Sequence, residues 1–181
     1  MEEIDHSRPW GCFYGSSQDQ QLSCGGGGCL YLSKSHSFHL SSGLGRGSNN
    51  FAELMALKIL ILFALEQHCH SLQSFGDSMI VLDWARGSSR CNVFRILPIL
   101  EEVVLLLQNF NDISFTHVYR EKNGVVDLLS KEATQLSFGC WNIIEQDLDG
   151  IYCYFHRPFI EDQALDILDR DCQHYLGISI F

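Results

Sequence analysis

The first part of the chain sets short runs of aromatic, aliphatic and small residues between Gly- and Ser-rich links: residues 9–14 (PWGCFY), 27–33 (GGCLYLS) and 37–43 (SFHLSSG). Runs of this length with turn residues between them predict three β-strands joined as an antiparallel meander. The period then changes. From Asn50 to His68 apolar residues occupy every side of a helical wheel, which predicts a helix enclosed by the rest of the domain. Residues 71–77 (SLQSFGD) predict a fourth strand, 78–86 (SMIVLDWAR) a short helix and 92–110 a longer helix containing Pro98. A fifth strand over 113–119 (ISFTHVY) and a helix over 123–133 (NGVVDLLSKEA) close the pattern.

Three meandering strands followed by alternating helices and strands predict an α/β domain whose later strands run parallel to the first through right-handed crossovers. In such sheets, sites form beyond the carboxyl ends of adjacent parallel strands. Tyr14 and Asp77 both fall at predicted strand ends of that kind. Beyond residue 135 the pattern changes, with Trp141, Tyr152, Tyr154 and Phe155 set among acids. Residues 1–135 are therefore read as the domain and residues 136–181 as an acidic C-terminal extension of unassigned packing. A chain ending near Gln135 is expected to fold.

Composition narrows the class. With 181 residues, 46% of them hydrophobic and only 3 Pro, the chain suits one globular unit with a modest extension. Its acidic start, MEEIDHSRPW, lacks an apolar stretch, so an intracellular protein is expected. The greasy run from Leu54 to Leu65 carries Lys58 and falls short of the roughly 20 residues a membrane span needs. No membrane association is expected.

Eight cysteines without a CxxC pair read as reduced thiols. Cys24 and Cys29 bracket four glycines and Cys69 lies between His68 and His70, spacings that suit zinc poorly. The glycine run also lacks the GK[ST] of a phosphate loop. A net charge of −10 opposes nucleic-acid binding, but 8 acids against 2 bases lie in residues 136–181, leaving 14 against 10 in residues 1–135. A local basic face on the domain stays open.

Three acids stand where strands pass into helices: Glu53, Asp77 and Asp127. Each has a purely structural reading. Asn50 and Glu53 fit a capping box, Asp77 or Ser78 fits a helix cap, and Asp127 suits the positive end of a helix. Together, however, the predicted topology brings all three to one edge of the sheet, where carboxylates repel unless a cation sits among them. Two divalent ions about 4 Å apart can activate a water and stabilise the leaving oxygen of a phosphodiester.

The segments CFYGSS, GGGGCLYLS, GSNNFAELMAL, SFGDSMIVL and HVYREKNGVVDLLSKEA, in this order, resemble the ribonuclease H domain, especially its reverse-transcriptase-like version in non-LTR retroelement polyproteins. The resemblance covers residues 9 to about 135. It implies a mixed five-stranded sheet, three antiparallel strands first and later strands parallel to strand one, flanked by helices. It also implies cleavage of the RNA strand of RNA/DNA hybrids by two Mg²⁺ (or Mn²⁺) ions held by four acids.

By motif, three of those acids are Glu53, Asp77 and Asp127, as catalytic and metal-binding residues, and the first Asp falls on Tyr14. A phenol with a reference pKa near 10 is neutral at pH 7 and a poor Mg²⁺ ligand. The resemblance therefore implies a weak or partial divalent site, modest affinity for a hybrid or other nucleic acid, and impaired catalysis.

Arg86, Arg90, Arg95, Arg120 and Lys122 are candidate phosphate contacts, while residues 87–91 leave no room for a basic protrusion. His117 is read as a packed strand residue. Two alternatives stand beside this reading. One is a working hybrid-specific ribonuclease in which Asp19 or a water substitutes for the lost Asp. The other is a non-enzymatic interaction scaffold that uses the acidic tail.

Overall fold

The computed structural model describes residues 4–18 and 23–156; Asp19 and residues 157–181 lie outside them. The elements are β1 (Trp10–Gln18), β2 (Ser23–Ser33), β3 (His36–Arg46), α1 (Asn49–Glu66), β4 (Ser71–Gly76) and α2 (Met79–Arg86), then α3 (Leu97–Leu107), β5 (Asp112–His117), α4 (Gly124–Ala133), β6 (Trp141–Gln146) and β7 (Ile151–His156). They form one mixed sheet ordered β5-β4-β1-β2-β3-β6-β7. The five expected strands are present in the expected directions: β1 to β3 pair antiparallel, and β4 and β5 run parallel to β1.

Three boundaries differ from the expectation, each for a local reason. β1 does not end at Tyr14 but continues to Gln18, because the glycines of β2 pair with it as far as Gly15↔Gly26 and beyond. α3 begins at Leu97, not at residue 92: Pro98 has no N–H to give and sits in the first turn, where none is needed. α1 starts two residues earlier than its capping box implied. Its cap is Ser48, whose side chain accepts from Phe51 N–H, so the Asn50–Glu53 capping box does not form. The sheet also has two more strands than expected. β6 pairs with β3 and β7 with β6, both antiparallel.

The main core lies between the sheet and α1, where Phe13, Leu30, Phe38 and Leu40 meet Leu57, Leu60 and Phe63. Trp141 of β6 is 0% exposed, in this core beside Phe63. The start of the acidic extension thus contributes to the centre of the domain. The Leu54–Leu65 run is the buried middle of α1, and among the described residues no helix is long and apolar enough to cross a membrane.

The four glycines of β2 have a packing role. A Cβ on Gly25 would lie 2.1 Å from the Ser130 carbonyl oxygen, and one on Gly27 would lie 2.3 Å from that of Val126. α4 therefore rests directly on the strand backbone, an approach that only glycine permits.

Candidate active site at the open edge of β1

β4 pairs with β1 only from Trp10 to Cys12, and beyond that β1 runs on alone on this side. The gap opens a cavity of about 510 Å³ whose lining includes Tyr14, Glu53, Asp77, Ser78, Arg120 and Lys131. Gly15 sets its floor. A Cβ there would lie 2.2 Å from Glu53 N, so the missing side chain lets α1 press its first turns against β1 and carries Glu53 to the edge.

Glu53 lies five residues past Ser48, too deep in α1 to cap it, and is only 7% exposed. The Gly15 backbone N–H lies near enough to favour the charged form of its carboxylate, but Oε2 is buried without a hydrogen-bond partner. Burial first, and then the charge of Asp77, push its pKa up to about 9. Asp77 follows β4, and the cap of α2 is the neighbouring Ser78, which accepts from Val81 N–H at 3.5 Å. Burial raises the Asp77 pKa, and its Oδ1 is likewise buried and unpartnered. The capping explanation thus fails for both acids.

Asp127 sits differently. It lies in the first turn of α4, where Arg120 Nη2 donates to Oδ1 at 3.0 Å and Lys131 Nζ to Oδ2 at 2.6 Å. Burial opposes ionisation, but these two hydrogen bonds and charges hold its carboxyl below the usual range. The Arg120 guanidinium also lies 5.2 Å from the centre of the Tyr14 ring. Burial raises the Tyr14 phenol to about 12, against the pull of Arg120, so it stays neutral. Asn123, 3% exposed, donates to the Phe13 carbonyl oxygen at 3.0 Å and pins the start of α4 to β1 just below Tyr14.

Tyr14, Glu53, Asp77 and Asp127 therefore share one electrostatic neighbourhood centred on Arg120, each feeling its charge. The four do not form one ligand cage: among the described residues no group of three or more His, Cys, Asp or Glu is placed to hold a metal. The orphaned oxygens of Glu53 and Asp77 are donors of the kind a hard divalent cation takes, such an ion being commonly held by one or two carboxylates with water and substrate oxygens completing its shell. Each oxygen of the Asp127 carboxylate already accepts from a cation.

Of the expected basic residues, Arg120 alone lines the cavity. Arg86 is committed to Asp83 and to the Phe115 carbonyl, and exposed Arg90 and Arg95 stand on the connection between α2 and α3. Exposed Lys122 ends the single helical turn Arg120–Lys122. His117 is half-buried in β5, as expected, and its Nε2 donates to the Asp77 carbonyl oxygen at 3.2 Å. Lys131 was missed, although its place four residues after Asp127 on a helix is a readable signal. The polar wall of Ser16, Ser17, Asn49 and Asn50 was missed as well.

An edge of acids beside the first strand of a mixed sheet, with helices on both faces, defines a ribonuclease H-like domain. The chain belongs to the reverse transcriptase-like family, whose model matches residues 13–133. None of the curated protein sequences matches it. Among solved structures it is similar to RNase H1 of the halophilic archaeon Halobacterium salinarum, at 28% identity and TM-score 0.65, over 70% of this chain and 96% of that one. It also shares its fold with LC11-RNase H1 in complex with an RNA/DNA hybrid (19% identity, TM-score 0.64, 70% and 96%). The N-terminal RNase H domain of a Mycobacterium tuberculosis protein shares it too (20% identity, TM-score 0.64, 70% and 93%).

Proposed function

We propose that this is a retroelement-derived ribonuclease H-like domain that binds an RNA/DNA hybrid or related nucleic acid at the open edge of β1 and cleaves it poorly or not at all. The observation that carries this reading is the pairing at Tyr14: a neutral phenol stands where a carboxylate would bridge two ions, and Arg120 lies over its ring while tying up Asp127. Glu53 and Asp77 would hold one divalent cation, Mg²⁺ or Mn²⁺, through their unpartnered oxygens. Such a cation supplies positive charge for a phosphodiester and lowers the pKa of a bound water.

The chain's own residues then do the following. Arg120 and Lys131 present positive charge at the cavity wall to a phosphate, and Ser16, Ser17, Asn49 and Asn50 offer neutral hydrogen-bonding groups to a sugar or base. Burial keeps a proton on Glu53, which its carboxyl would give up on taking a cation. What is lacking is a second carboxylate free to hold a second ion. Loss of that partner charge on the leaving oxygen costs several kcal/mol, about a thousandfold or more in rate.

The test is gel cleavage of a labelled RNA/DNA hybrid with Mg²⁺ or Mn²⁺. Binding without cleavage by the native chain, and cleavage gained by Tyr14→Asp, is the expected result. Strong cleavage by the native chain, abolished by Asp77→Asn, would establish a working ribonuclease instead. Neither binding nor cleavage by Tyr14→Asp would leave the fold as an interaction scaffold.

A further inference from the structure

Outside the acidic edge, the β1–β2 hairpin sets two cysteines directly opposite one another. Cys12 and Cys29 are cross-strand partners, two pairs along from Tyr14↔Gly27, and their side chains share the α4 face with Tyr14 and Val126. Directly opposed residues of an antiparallel pair have Cα atoms about 4.5–5.5 Å apart, within the roughly 4.4–6.8 Å that a disulfide spans. The two thiols and the Tyr31 hydroxyl are near enough to act on one another's ionisation.

No other described cysteine has such a partner in register. Cys24 stands opposite Ser17 and Gly45, and Cys153 opposite Ile144. The pair is also asymmetric. Cys12 is half-exposed and open to a small oxidant, whereas Cys29 is 0% exposed. The neighbouring Cys12 thiol and then burial hold the Cys29 thiol well above its ordinary range, so it stays protonated and unreactive until its neighbour is activated.

We propose that Cys12 and Cys29 are a reversible redox pair, reduced in the ground state and closed to a cross-strand disulfide by hydrogen peroxide. In the first step the Cys12 sulfur attacks peroxide, the O–O bond breaks, and Cys12 sulfenic acid and one water form. In the second, the Cys29 sulfur attacks the Cys12 sulfur: the S–S bond forms, the S–O bond breaks, and the departing hydroxide takes the Cys29 proton as a second water. Two thiols have lost two electrons and peroxide has gained them. Two molecules of a small thiol such as glutathione reverse the step by successive exchange, the first forming a mixed disulfide and the second releasing it as glutathione disulfide. The bond would lock the register of β1 and β2 beneath α4, beside the strand position that carries Tyr14.

The test uses the full chain, reduced, treated with hydrogen peroxide, alkylated and digested without reductant. Mass spectrometry is expected to find the Cys12 peptide joined to the Cys29 peptide, and dithiothreitol is expected to release it. The oxidised native chain is expected to melt at a higher temperature than the reduced one, a shift that Cys12→Ser, a substitution at a half-exposed position, abolishes. The native chain alone decides the chemistry, so no variant has to fold for the result to count. Both thiols staying alkylatable under peroxide that oxidises the exposed Cys153 would overturn the proposal. So would Cys12 ending as a sulfinic acid, or crosslinked to Cys153 of a second copy.

Discussion

The two faces of the sheet meet at the same edge and bring opposite things to it. The α1 face is built from large side chains and delivers a carboxylate, Glu53, that is buried with an oxygen left unpartnered. The α4 face is built on glycine backbone and delivers a carboxylate, Asp127, already held by Arg120 and Lys131, together with the ring of Tyr14. One half of the site lacks positive charge and the other is supplied with it. The difference teaches that one edge can hold its carboxylates in two ways: side-chain cations neutralise Asp127 on one side, while burial keeps Glu53 protonated on the other.

The largest effect is expected on the α1 face. Trp141→Ala should cost about 3–5 kcal/mol, read from urea unfolding, because it empties a fully buried indole site next to Phe63. Stability unchanged by this substitution would mean that β6 is peripheral and that the chain does end its domain near Gln135. On the α4 face the sensitive element is backbone. Gly27→Val places side-chain atoms where the Val126 carbonyl oxygen lies 2.3 Å from a Cβ, and should cost about 3 kcal/mol by the same measurement.

The electrostatic contrast gives a pH signature. Without a divalent ion the pKa of Glu53 is about 9 in the folded chain against an ordinary 4.5, so the folded state holds a proton that the unfolded state has released. Stability is therefore full below about pH 4.5 and falls as pH rises toward 9. Asp77, also raised, works in the same direction. Glu53→Gln should flatten this slope and make the metal-free protein more stable than the native chain at pH 8. A native chain equally stable at pH 5 and pH 8 would contradict the burial of that charge. The smallest change is expected from Lys131→Met, which removes one exposed partner of Asp127 and should alter stability by less than about 0.5 kcal/mol.

Much of this contrast was legible in the chain. Alternation and the switch to helical period placed all five early strands, and the FYG stretch pointed to Tyr14, which lines the cavity. The role of the glycines was not legible, because a close approach needs its partner, α4, which follows almost a hundred residues later. Nor could spacing reveal that Arg120 turns back onto Asp127, since the two are separated by a tight turn and not by a helical period. β6 and β7 were readable in part: WNIIEQ alternates inward Trp141 and Ile143 with half-exposed neighbours, and DLDG before Ile151 is a turn sequence. The surrounding acids masked that signal.

The most direct test of the central claim, that one half of the site keeps its demand for an ion and the other has lost it, is the number of Mn²⁺ ions bound, measured by electron paramagnetic resonance titration of the native chain, Asp77→Asn and Tyr14→Asp. One ion in the native chain, none in Asp77→Asn and two in Tyr14→Asp is the expected result. Two ions in the native chain, or one that survives Asp77→Asn, would contradict it.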